Sequence, residues 1–326
     1  MRQLPRLRAK RFGEASPKLA ALSSGKRRRA TLKLQLPTVW ERFPFSLVPS
    51  PLSLLPCPFS LFPFPFSLFL LALLASGCGA KHFEPPTGTG TPFPDYAAAL
   101  DQAREHCGSV KTMSVTLSLS GRAGAAKLRG RVDAGLAAPD EIRLEGRAPF
   151  GRPVFILVAR DASTAMLWLP RDNRVLREAP PAAIVEALAG VALGPDELRM
   201  ALAGCGFGSA PASDARAYGD WVAVDVADGS THYLRRSDSR WRLFASTHDA
   251  LTIEYRDFTS SRPAIVRMSR TITGSSERQT DLTVKLSDVE LNVPLGAEVF
   301  QLDVPSDADP LTLEELRRAG PLGEAR

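Results

Sequence analysis

Hydrophobic and polar positions alternate along the second half of the chain with the two-residue period of a half-buried β-strand. In M-S-V-T-L-S-L-S (113–120) the apolar side chains share one face and the hydroxyl side chains the other. The stretches 127–133 and 141–145 repeat this alternation, and 153–159 is apolar on both faces. The same pattern predicts further strands near 163–169, 174–178, 221–226, 230–236, 240–247, 250–258, 263–272, 280–289 and 298–303.

Three segments have helical periodicity instead. They are 95–107, with Asp95 as the N-cap, 180–190, with Pro181 in its first turn, and 194–204, which ends at Gly204. A sheet of about ten strands tends to curl, so the three amphipathic helices are expected to cover its concave side. The predicted fold is mostly β (α+β): an open, curved antiparallel β-sheet, or half-barrel, with an α-helical lid over a hydrophobic cavity.

The apolar faces of these strands and helices supply the expected lining of that cavity. For any single side chain, ordinary core packing is the alternative, so only the collective pattern carries weight. The expected lining residues are Val115, Leu117, Leu119, Ile142, Leu144, Phe155, Leu157, Ile184, Leu188, Leu198 and Leu202.

Charge is distributed very unevenly along the 326 residues, whose net charge is +6. Residues 1–42 hold 12 of the 41 basic residues and only 2 of the 35 acidic ones, and residues 43–77 carry no charge. That leaves 29 basic and 33 acidic residues in 78–326, a balance of −4. The part expected to fold is mildly acidic, which argues against a nucleic-acid partner.

The basic segment 1–42 contains K-R-R-R at 26–29 and little apolar periodicity. It is interpreted as a disordered extension or as the result of a translation start assigned too early. A twin-arginine export signal is a further alternative, because R-R-A-T-L-K (28–33) loosely fits one. The apolar segment that such a signal requires begins far downstream.

Residues 43–77 combine a low-complexity tract with a signal peptide. Seven prolines within 43–65 exclude a regular helix there. The apolar run after Pro65 is too short to span a bilayer and suits the hydrophobic region of a signal peptide. It ends in A-S-G-C, which resembles a lipobox, with cleavage before Cys78 and lipid on its sulfur. An ordinary signal peptide with a chance cysteine is the alternative. Residues 78–94 then form the lipidated cysteine and a flexible tether.

Catalytic and metal-binding patterns are not found in the sequence. The four histidines are scattered, and neither a C-x-x-C pair, a G-x-S-x-G elbow nor a P-loop is present. We therefore expect no enzyme activity, no metal and no cofactor. Cys107 and Cys205 lie at the ends of predicted helices, where they form either a disulfide or two buried thiols.

The turn A-P-F-G-R-P (148–153) places an apolar ring where loops normally carry polar side chains. Pro149 and Gly151 suit a type I turn with Phe150 near its tip. An ordinary surface hydrophobe, or one folded back onto its own sheet, is the simplest interpretation of Phe150 alone. Beside a lipid-anchored domain, the same ring is suited to dip into a membrane.

Three stretches resemble the LolA/LolB family of lipoprotein carriers, and LolB more closely. They are E-I-R-L-E-G-R-A-P-F-G (141–151), L-R-M-A-L-A-G (198–204) and V-E-L-N-V-P-L-G-A-E-V-F-Q-L (289–302), which is similar to the last strands of that fold. The resemblance covers residues 95–305, the expected lipoprotein-binding domain. The tail 306–326 is an additional segment with a short helix.

The resemblance implies a monomeric outer-membrane lipoprotein, anchored through Cys78 and facing the periplasm. Such a protein accepts acylated lipoprotein cargo from a LolA-type periplasmic carrier and inserts it into the outer membrane. In LolB a projecting Pro-Leu-Gly loop assists insertion, and Pro149, Phe150 and Gly151 occupy the matching positions, with Phe150 in place of the leucine. The alternative is a lipid-anchored periplasmic lipid-binding or envelope-assembly structural protein of the same fold. A periplasmic hydrolase is a third, weaker class.

We predict that the protein extracted from membranes begins at Cys78 and carries acyl chains, because the A-S-G-C sequence suits lipoprotein processing. Intact-mass spectrometry measures cleavage and acylation together. Cys78→Ser is expected to retain residues 1–77 and to lose the acyl mass. A wild-type mass that includes residues 1–77 would contradict the prediction.

Overall fold

The computed structural model describes residues 82–147, 153–272 and 278–320. The predictions for residues 1–42 and 43–77, for Cys78 and for Pro149, Phe150 and Gly151 lie outside the described residues. Residues from His82 onward form one compact unit.

The described residues form fifteen strands, four α-helices and two short 3-10 turns. The strands are β1 (Thr91–Pro92), β2 (Thr112–Ala123), β3 (Ala126–Ala137), β4 (Glu141–Arg147), β5 (Pro153–Ala159), β6 (Ala165–Leu169), β7 (Arg174–Ala179), β8 (Ala212–Tyr218), β9 (Trp221–Val226), β10 (Thr231–Ser237), β11 (Arg240–His248), β12 (Leu251–Thr259), β13 (Arg262–Thr271), β14 (Arg278–Leu291) and β15 (Asp309–Pro310). The helices are α1 (Tyr96–Ala103), α2 (Pro181–Ala189), α3 (Pro195–Ala203) and α4 (Leu313–Ala319), and the 3-10 turns are Cys107–Ser109 and Ala297–Phe300.

All fifteen strands belong to one open sheet in the order β1-β8-β9-β10-β11-β12-β13-β14-β2-β3-β4-β5-β6-β7-β15. Neighbours are antiparallel except β7 and β15. Strands twist against one another and bulges add to the twist, so a sheet of this size curves. The predicted fold class, an open curved antiparallel sheet with helices, is confirmed.

The connection from β7 to β8 runs from one side of this sheet to the other, because the two strands lie near opposite ends of the strand order. Helices α2 and α3 form this crossing. Each is short, begins with a proline at its first turn and ends at a glycine with positive φ, Gly190 and Gly204. The predicted roles of Pro181 and Gly204 are confirmed.

Three local predictions need correction. Residues 298–303 do not form a strand: Ala297–Phe300 is a 3-10 turn whose Phe300 is buried against the outer face of the sheet, beside Ile156 and Val158. The sequence pattern did not predict β8, because its inward-facing residues are small and only Ala215 among them is buried. Asp95 stands at the N-cap of α1, but its side chain makes no capping hydrogen bond.

Residues 82–94 are not the free tether that their composition suggested. The Phe83 ring packs against the rings of Tyr233 and Trp221, at centroid distances of 4.8 and 5.4 Å. Strand β1 pairs with β8, and the Phe93 ring meets Trp241 at 5.6 Å. The segment lies on the sheet despite its glycine, proline and threonine content, because its aromatic rings each bury a large apolar area there.

A disulfide joins Cys107 and Cys205, which are separated by 98 positions in sequence. Of the two states left open by the sequence, the structure has the bridge. It links the 3-10 turn after α1 to the residue that follows Gly204 at the end of α3. Closing a loop of this length stabilises a fold by about 3–5 kcal/mol, mainly by restricting the unfolded chain.

The C-terminal segment returns to the first half of the sheet. Strand β15 adds to the edge of β7, and α4 packs against α2. Leu311 and Leu316 join the main core. Arg174 on β7 donates to the carbonyl oxygen of Pro310 at 2.8 Å and to Glu315 at 3.0 Å. The tail therefore closes one edge of the sheet and supports one of the crossing helices.

Candidate functional site

An apolar cavity of about 180 Å³ lies between the crossing helices and the inner face of β2–β5, β13 and β14. Of the eleven residues expected to line it, seven do: Leu117, Leu119, Leu144, Phe155, Leu188, Leu198 and Leu202. The other apolar side chains on its wall are Leu128, Val132, Val154, Val185, Ala189, Val191, Met268, Leu282 and Val284.

The remaining four expected residues, Val115, Ile142, Leu157 and Ile184, lie in the core and not on the cavity wall. Ile142, Leu157 and Ile184 have no exposed surface at all. Their position follows from distance along the strand or helix, because period alone assigns a face and not a depth. The core was the stated alternative for each of them.

Residues from β13 and β14 complete the wall, and sequence reasoning assigned them to strands without placing them at the cavity. Met268, Leu282 and Val284 are buried and point inward beside Leu117 and Leu119. The alternation in D-L-T-V-K-L (281–286) is as regular as that of β2. The pairing of β14 with β2 could not be predicted from the sequence. It brings residues about 165 positions apart into register, such as Leu119 and Val284.

The cavity lies toward one end of the sheet, which we call the cavity end: the end where β2 stops at Ala123, β4 stops at Arg147 and β14 begins at Arg278. Antiparallel register brings these points together, since Ala123 pairs with Thr280 and with Ala126, and Arg131 with Arg147. Arg147 and Pro153 pair across the β4–β5 connection. Arg147 and Pro153, the described residues on either side of 148–152, therefore lie beside the cavity wall.

The volume limits what the cavity holds in this conformation. An apolar cavity of about 150 Å³ admits a single benzene ring, whereas pockets for drug-sized ligands run to about 300–1,000 Å³. At about 180 Å³ the cavity has room for only part of a hydrocarbon chain. A complete acyl chain requires the helices to move away from the sheet.

Helix α2 is held over the cavity by a close contact and an ion pair. Gly190 lies so near β14 that an added Cβ would stand 2.6 Å from Thr280 Oγ1, and that hydroxyl donates to the Gly190 carbonyl oxygen at 3.1 Å. Arg270 on β13 donates to Glu186 at 2.8 Å. Both partners of the ion pair are about one-third exposed, so it contributes little energy and gives way easily.

Helix α3 is held by a buried arginine. Arg199 donates to the carbonyl oxygen of Val110, just before β2, and to Asp196 on its own helix. Its charge is buried only because those oxygens accept its hydrogen bonds. At the end of the helix Gly204 lies against Pro263 of β13. Together with the disulfide, these contacts fix the far end of α3 more firmly than α2 is fixed.

A buried polar cluster joins α1 to β10 and β11. Arg104 donates to His232 Nε2 at 2.8 Å, and Ser246 Oγ lies 3.0 Å from His232 Nδ1. Because an arginine only donates, Nε2 is the unprotonated nitrogen, and Nδ1 carries the proton toward Ser246. Ser230 donates to Asp228 at 2.6 Å.

This serine–histidine cluster is out of reach of a substrate. His232 and Ser246 have no exposed surface and Ser230 is 1% exposed. Burial, followed by the positive charge of Arg104, lowers the pKa of His232 to about 3. The imidazole is therefore neutral, and the arrangement is suited to holding α1 on the sheet.

A second cavity, of about 510 Å³, lies near the disulfide at the opposite end of the sheet. Its wall is mixed: Trp241 and Phe258 stand beside Arg240, Arg242 and Glu105. Arg240 pairs with Glu105, and Arg242 lies 3.3 Å from Asp238 and over the Phe258 ring. These charges are largely satisfied within the protein.

One group of potential metal ligands is found in the described part of the chain, His106 with Cys107 and Cys205. The disulfide removes both thiolates, so the group does not suit a metal. No helix in the described ranges combines the length and the apolar character that crossing a bilayer requires.

His82 contacts a cluster of charged side chains on the outer face of the sheet. Arg267 donates to its Nε2 at 2.8 Å and makes two further bonds to Asp281, at 2.8 and 2.9 Å. Glu254 is buried beside them and accepts from Arg256 at 2.8 Å. Burial and then Arg267 lower the pKa of His82, while Asp281 raises it. The chain thus reaches the folded domain at β12–β14.

No protein family and no curated protein matches the chain. Solved structures with some similarity include a LolA superfamily protein from Nitrosomonas europaea, 12% identical over 63% of this chain and 96% of that one, with a TM-score of 0.44. Others are the lipoprotein LppX of Mycobacterium tuberculosis (9%, 62% and 98%, TM-score 0.28) and LprF of Mycobacterium bovis (13%, 67% and 100%, TM-score 0.27). TM-scores this low carry no argument about function, and the likeness to LolB stays a hypothesis from the sequence.

We predict that acid destabilises the protein through His232. Its pKa is about 3 in the folded state and 6.5 in the reference state, so its contribution is complete above pH 6.5 and is lost as the pH falls toward 3. The loss is about 1.4 kcal/mol per pH unit. Denaturant unfolding at a series of pH values between 3 and 6.5 measures the free energy of unfolding. The plot of this free energy against pH is expected to have a shallower slope for His232→Gln than for the wild type.

His248→Gln is the matched control, because the His248 side chain is 40% exposed. His82, whose pKa is also lowered, contributes in the same direction, so the difference between wild type and variant isolates His232. An unchanged slope in His232→Gln would show that this histidine is charged in the folded protein.

Proposed function

We propose that the chain is a lipid-anchored protein of the bacterial outer membrane, facing the periplasm, that binds the acyl chains of lipoproteins and inserts them into that membrane. The observation that carries the proposal is the apolar cavity between the crossing helices and the inner face of the sheet. Its walls are aliphatic side chains and one phenylalanine, with arginines and glycines at one end.

Such walls suit a hydrocarbon chain, whose recognition needs no directed bond. Each buried methylene contributes about 0.8 kcal/mol, so affinity grows with the length of chain enclosed. A cargo held in this way passes between hydrophobic environments without bond making or breaking. We therefore propose a carrier or receptor without enzyme activity, cofactor or metal.

Uptake of a complete chain requires the cavity to enlarge, and α2 is the element suited to move. Its contacts with the sheet are a weak, partly exposed ion pair, one hydrogen bond and apolar packing. Helix α3 is held by the buried Arg199 and by the disulfide near its end. Acyl chains are proposed to enter between α2 and β13–β14.

Membrane attachment is proposed through Cys78, and cargo transfer through Phe150, both outside the described residues. Supporting this, the residues that flank the β4–β5 connection, Arg147 and Pro153, lie beside the cavity wall. A ring carried there has only a short path between cavity and bilayer. A LolA-type periplasmic carrier is the proposed donor of cargo.

A second candidate is a lipid-anchored lipid-binding or envelope-assembly protein that never handles lipoproteins. The small volume of the cavity, about 180 Å³, favours it, since a smaller apolar ligand needs no movement of the helices. The two functions differ in whether the protein removes an acylated protein from a carrier.

We predict that Leu119→Glu abolishes transfer of a lipoprotein from a LolA-type carrier. Leu119 lines the cavity and is half-buried, so a carboxylate there makes the cavity polar without a large loss of stability. Ser120→Glu is the matched control, because Ser120 is the next residue on β2 and is exposed on the other face. Co-purification of cargo with each variant measures acceptance.

The control is expected to accept cargo as the wild type does. Binding of a fluorescent fatty acid that Leu119→Glu abolishes, without any lipoprotein transfer by the wild type, would favour the second candidate. Equal lipoprotein acceptance by Leu119→Glu and wild type would refute the cavity as the cargo site.

We predict that Phe150→Glu accepts cargo normally but delivers it to membranes about tenfold more slowly or worse, since burial of one Phe contributes about 1.5–3 kcal/mol. Release of labelled lipoprotein into vesicles measures delivery. Phe150→Leu keeps an apolar side chain and is expected to deliver nearly as fast as the wild type. Unchanged delivery by Phe150→Glu would remove Phe150 from the mechanism.

A further inference from the structure

The tip of the β2–β3 hairpin carries four basic residues and no acidic one. Residues 120–131 contain Arg122, Lys127, Arg129 and Arg131, and all four are exposed. The balance of charge over 78–326 is −4, so this concentration does not follow from the composition of the domain. It is a local property of one hairpin.

These cations are weakly engaged by the protein. Among the residues that the structure describes, neither Lys127 nor Arg129 lies within ion-pair distance of a carboxylate. Arg122 donates to the carbonyl oxygen of Arg278 at 3.3 Å, and Arg131 lies 3.6 Å from the exposed Asp288 and 4.0 Å from Asp133. The hairpin tip thus presents positive charge that is free to meet an external anion.

The same stretch of β3 also forms the cavity wall. Leu128 points inward and is buried, while its neighbours Lys127 and Arg129 are exposed and pair in register with Arg122 and Ser120. Arg129 and Arg131 also border the cavity at this end. The basic residues therefore lie at the edge of the apolar wall, at the cavity end of the sheet. An apolar ligand leaving that end passes close to them.

The tip projects beyond its neighbour on one side. Strand β3 pairs with β4 only from Arg131 to Ala137, so residues 126–130 have no partner strand there within the described ranges. On the other side Gly124, at φ +58°, forms the two-residue turn, and its N–H donates to Gln279 at 2.7 Å. The tip is exposed, yet β14 holds it in place.

The chain enters the domain beside this hairpin. His82 is bound to Arg267, which is bound to Asp281, and Asp281 pairs in register with Arg122. Three residues lie between Cys78 and His82, so the Cα atoms of these two residues are at most about 14 Å apart. A lipid on Cys78 therefore keeps the bilayer near the outer face of β13–β14, next to the basic tip.

We infer that the β2–β3 hairpin tip docks on an anionic phospholipid bilayer and turns the cavity end toward it. The inference rests on the proposed function in one respect, the lipid on Cys78. Basic residues near such a surface bind it through its negative potential, which is screened within about 8 Å at physiological salt. Docking by these four side chains gives the tethered domain a fixed orientation.

The test measures how close the tip lies to the lipid headgroups. The protein is isolated from membranes with its lipid, returned to vesicles and labelled with a fluorophore on Ala125→Cys, an exposed turn residue. Cys57→Ser excludes a second label on any molecule that retains residues 1–77. Headgroup-attached quencher reports proximity. Quenching is expected in phosphatidylglycerol-containing vesicles, and it is expected to be weak in pure phosphatidylcholine and in about 1 M salt, where screening acts within about 3 Å. A label on Ser261→Cys, in the β12–β13 turn at the other end of the sheet, is expected to stay unquenched.

Lys127→Gln/Arg129→Gln supplies the decisive comparison, because neither side chain holds another part of the described structure. Each basic residue at an anionic surface changes the ratio of docked to undocked molecules about fivefold. The double substitution is therefore expected to lower that ratio about 25-fold. Arg317→Gln/Arg318→Gln removes the same charge from exposed positions on α4 and is expected to leave quenching unchanged.

Equal quenching at Ala125 and Ser261, quenching that persists in high salt, or quenching unaffected by Lys127→Gln/Arg129→Gln would each overturn the inference. The outcome is independent of cargo transfer. Salt-sensitive quenching in a protein that never takes lipoprotein supports docking and refutes the insertion role. Transfer of lipoprotein without quenching of the label at position 125 refutes docking and supports the insertion role.

Discussion

The pairing of β14 with β2 joins the strands that precede the crossing helices to those that follow them, and so makes one sheet from two meanders. It also places β7 and β8 near opposite ends of that sheet. The chain between them must therefore cross a face, and the apolar sides of α2 and α3 keep it on the inner one. The lid and the cavity beneath it are consequences of this single long-range pairing.

Attachment of the helices is uneven, and the unevenness has a physical basis. Burial of Arg199 and His232 is offset by the hydrogen bonds that Arg199 donates to Val110 and Asp196 and that Arg104 donates to His232, and these bonds hold α3 and α1 to the sheet. The Cys107–Cys205 bridge adds a covalent link between the same two helices. Helix α2 has the partly exposed Glu186–Arg270 pair, the hydrogen bond from Thr280 to Gly190 and apolar contacts, which hold it to the sheet less firmly. The cavity thus has one weakly held wall, α2, and other walls that are firmly held.

The two faces of the sheet have different tasks. The inner face carries the core and the cavity, whereas the outer face is covered by Phe300 and its neighbours on one half and by His82 and Phe83 on the other. Between these covered regions the outer face exposes the basic hairpin tip. The cavity end thus combines an apolar wall, a cluster of cations and, on the outer face nearby, the point where the chain joins the sheet.

Alternation within each strand was enough to predict most strands, all three principal helices and the fold class, because side-chain period depends only on local geometry. It failed at β8, where the inward residues are too small to mark a face, and at Phe300, whose burial comes from a turn lying on the outer face. Seven of the expected lining residues were placed on the cavity wall for the same local reason. Which of these inward-facing residues lie in the core and which on the cavity wall could not be predicted. Ile142 and Leu157, in the core, differ from Leu144 and Phe155, on the wall, only by position along the sheet. Local alternation marks the apolar side of most strands without any tertiary information. The wall shared by Leu119 and Val284 depends instead on tertiary structure, because only the β14–β2 pairing brings such distant segments into contact.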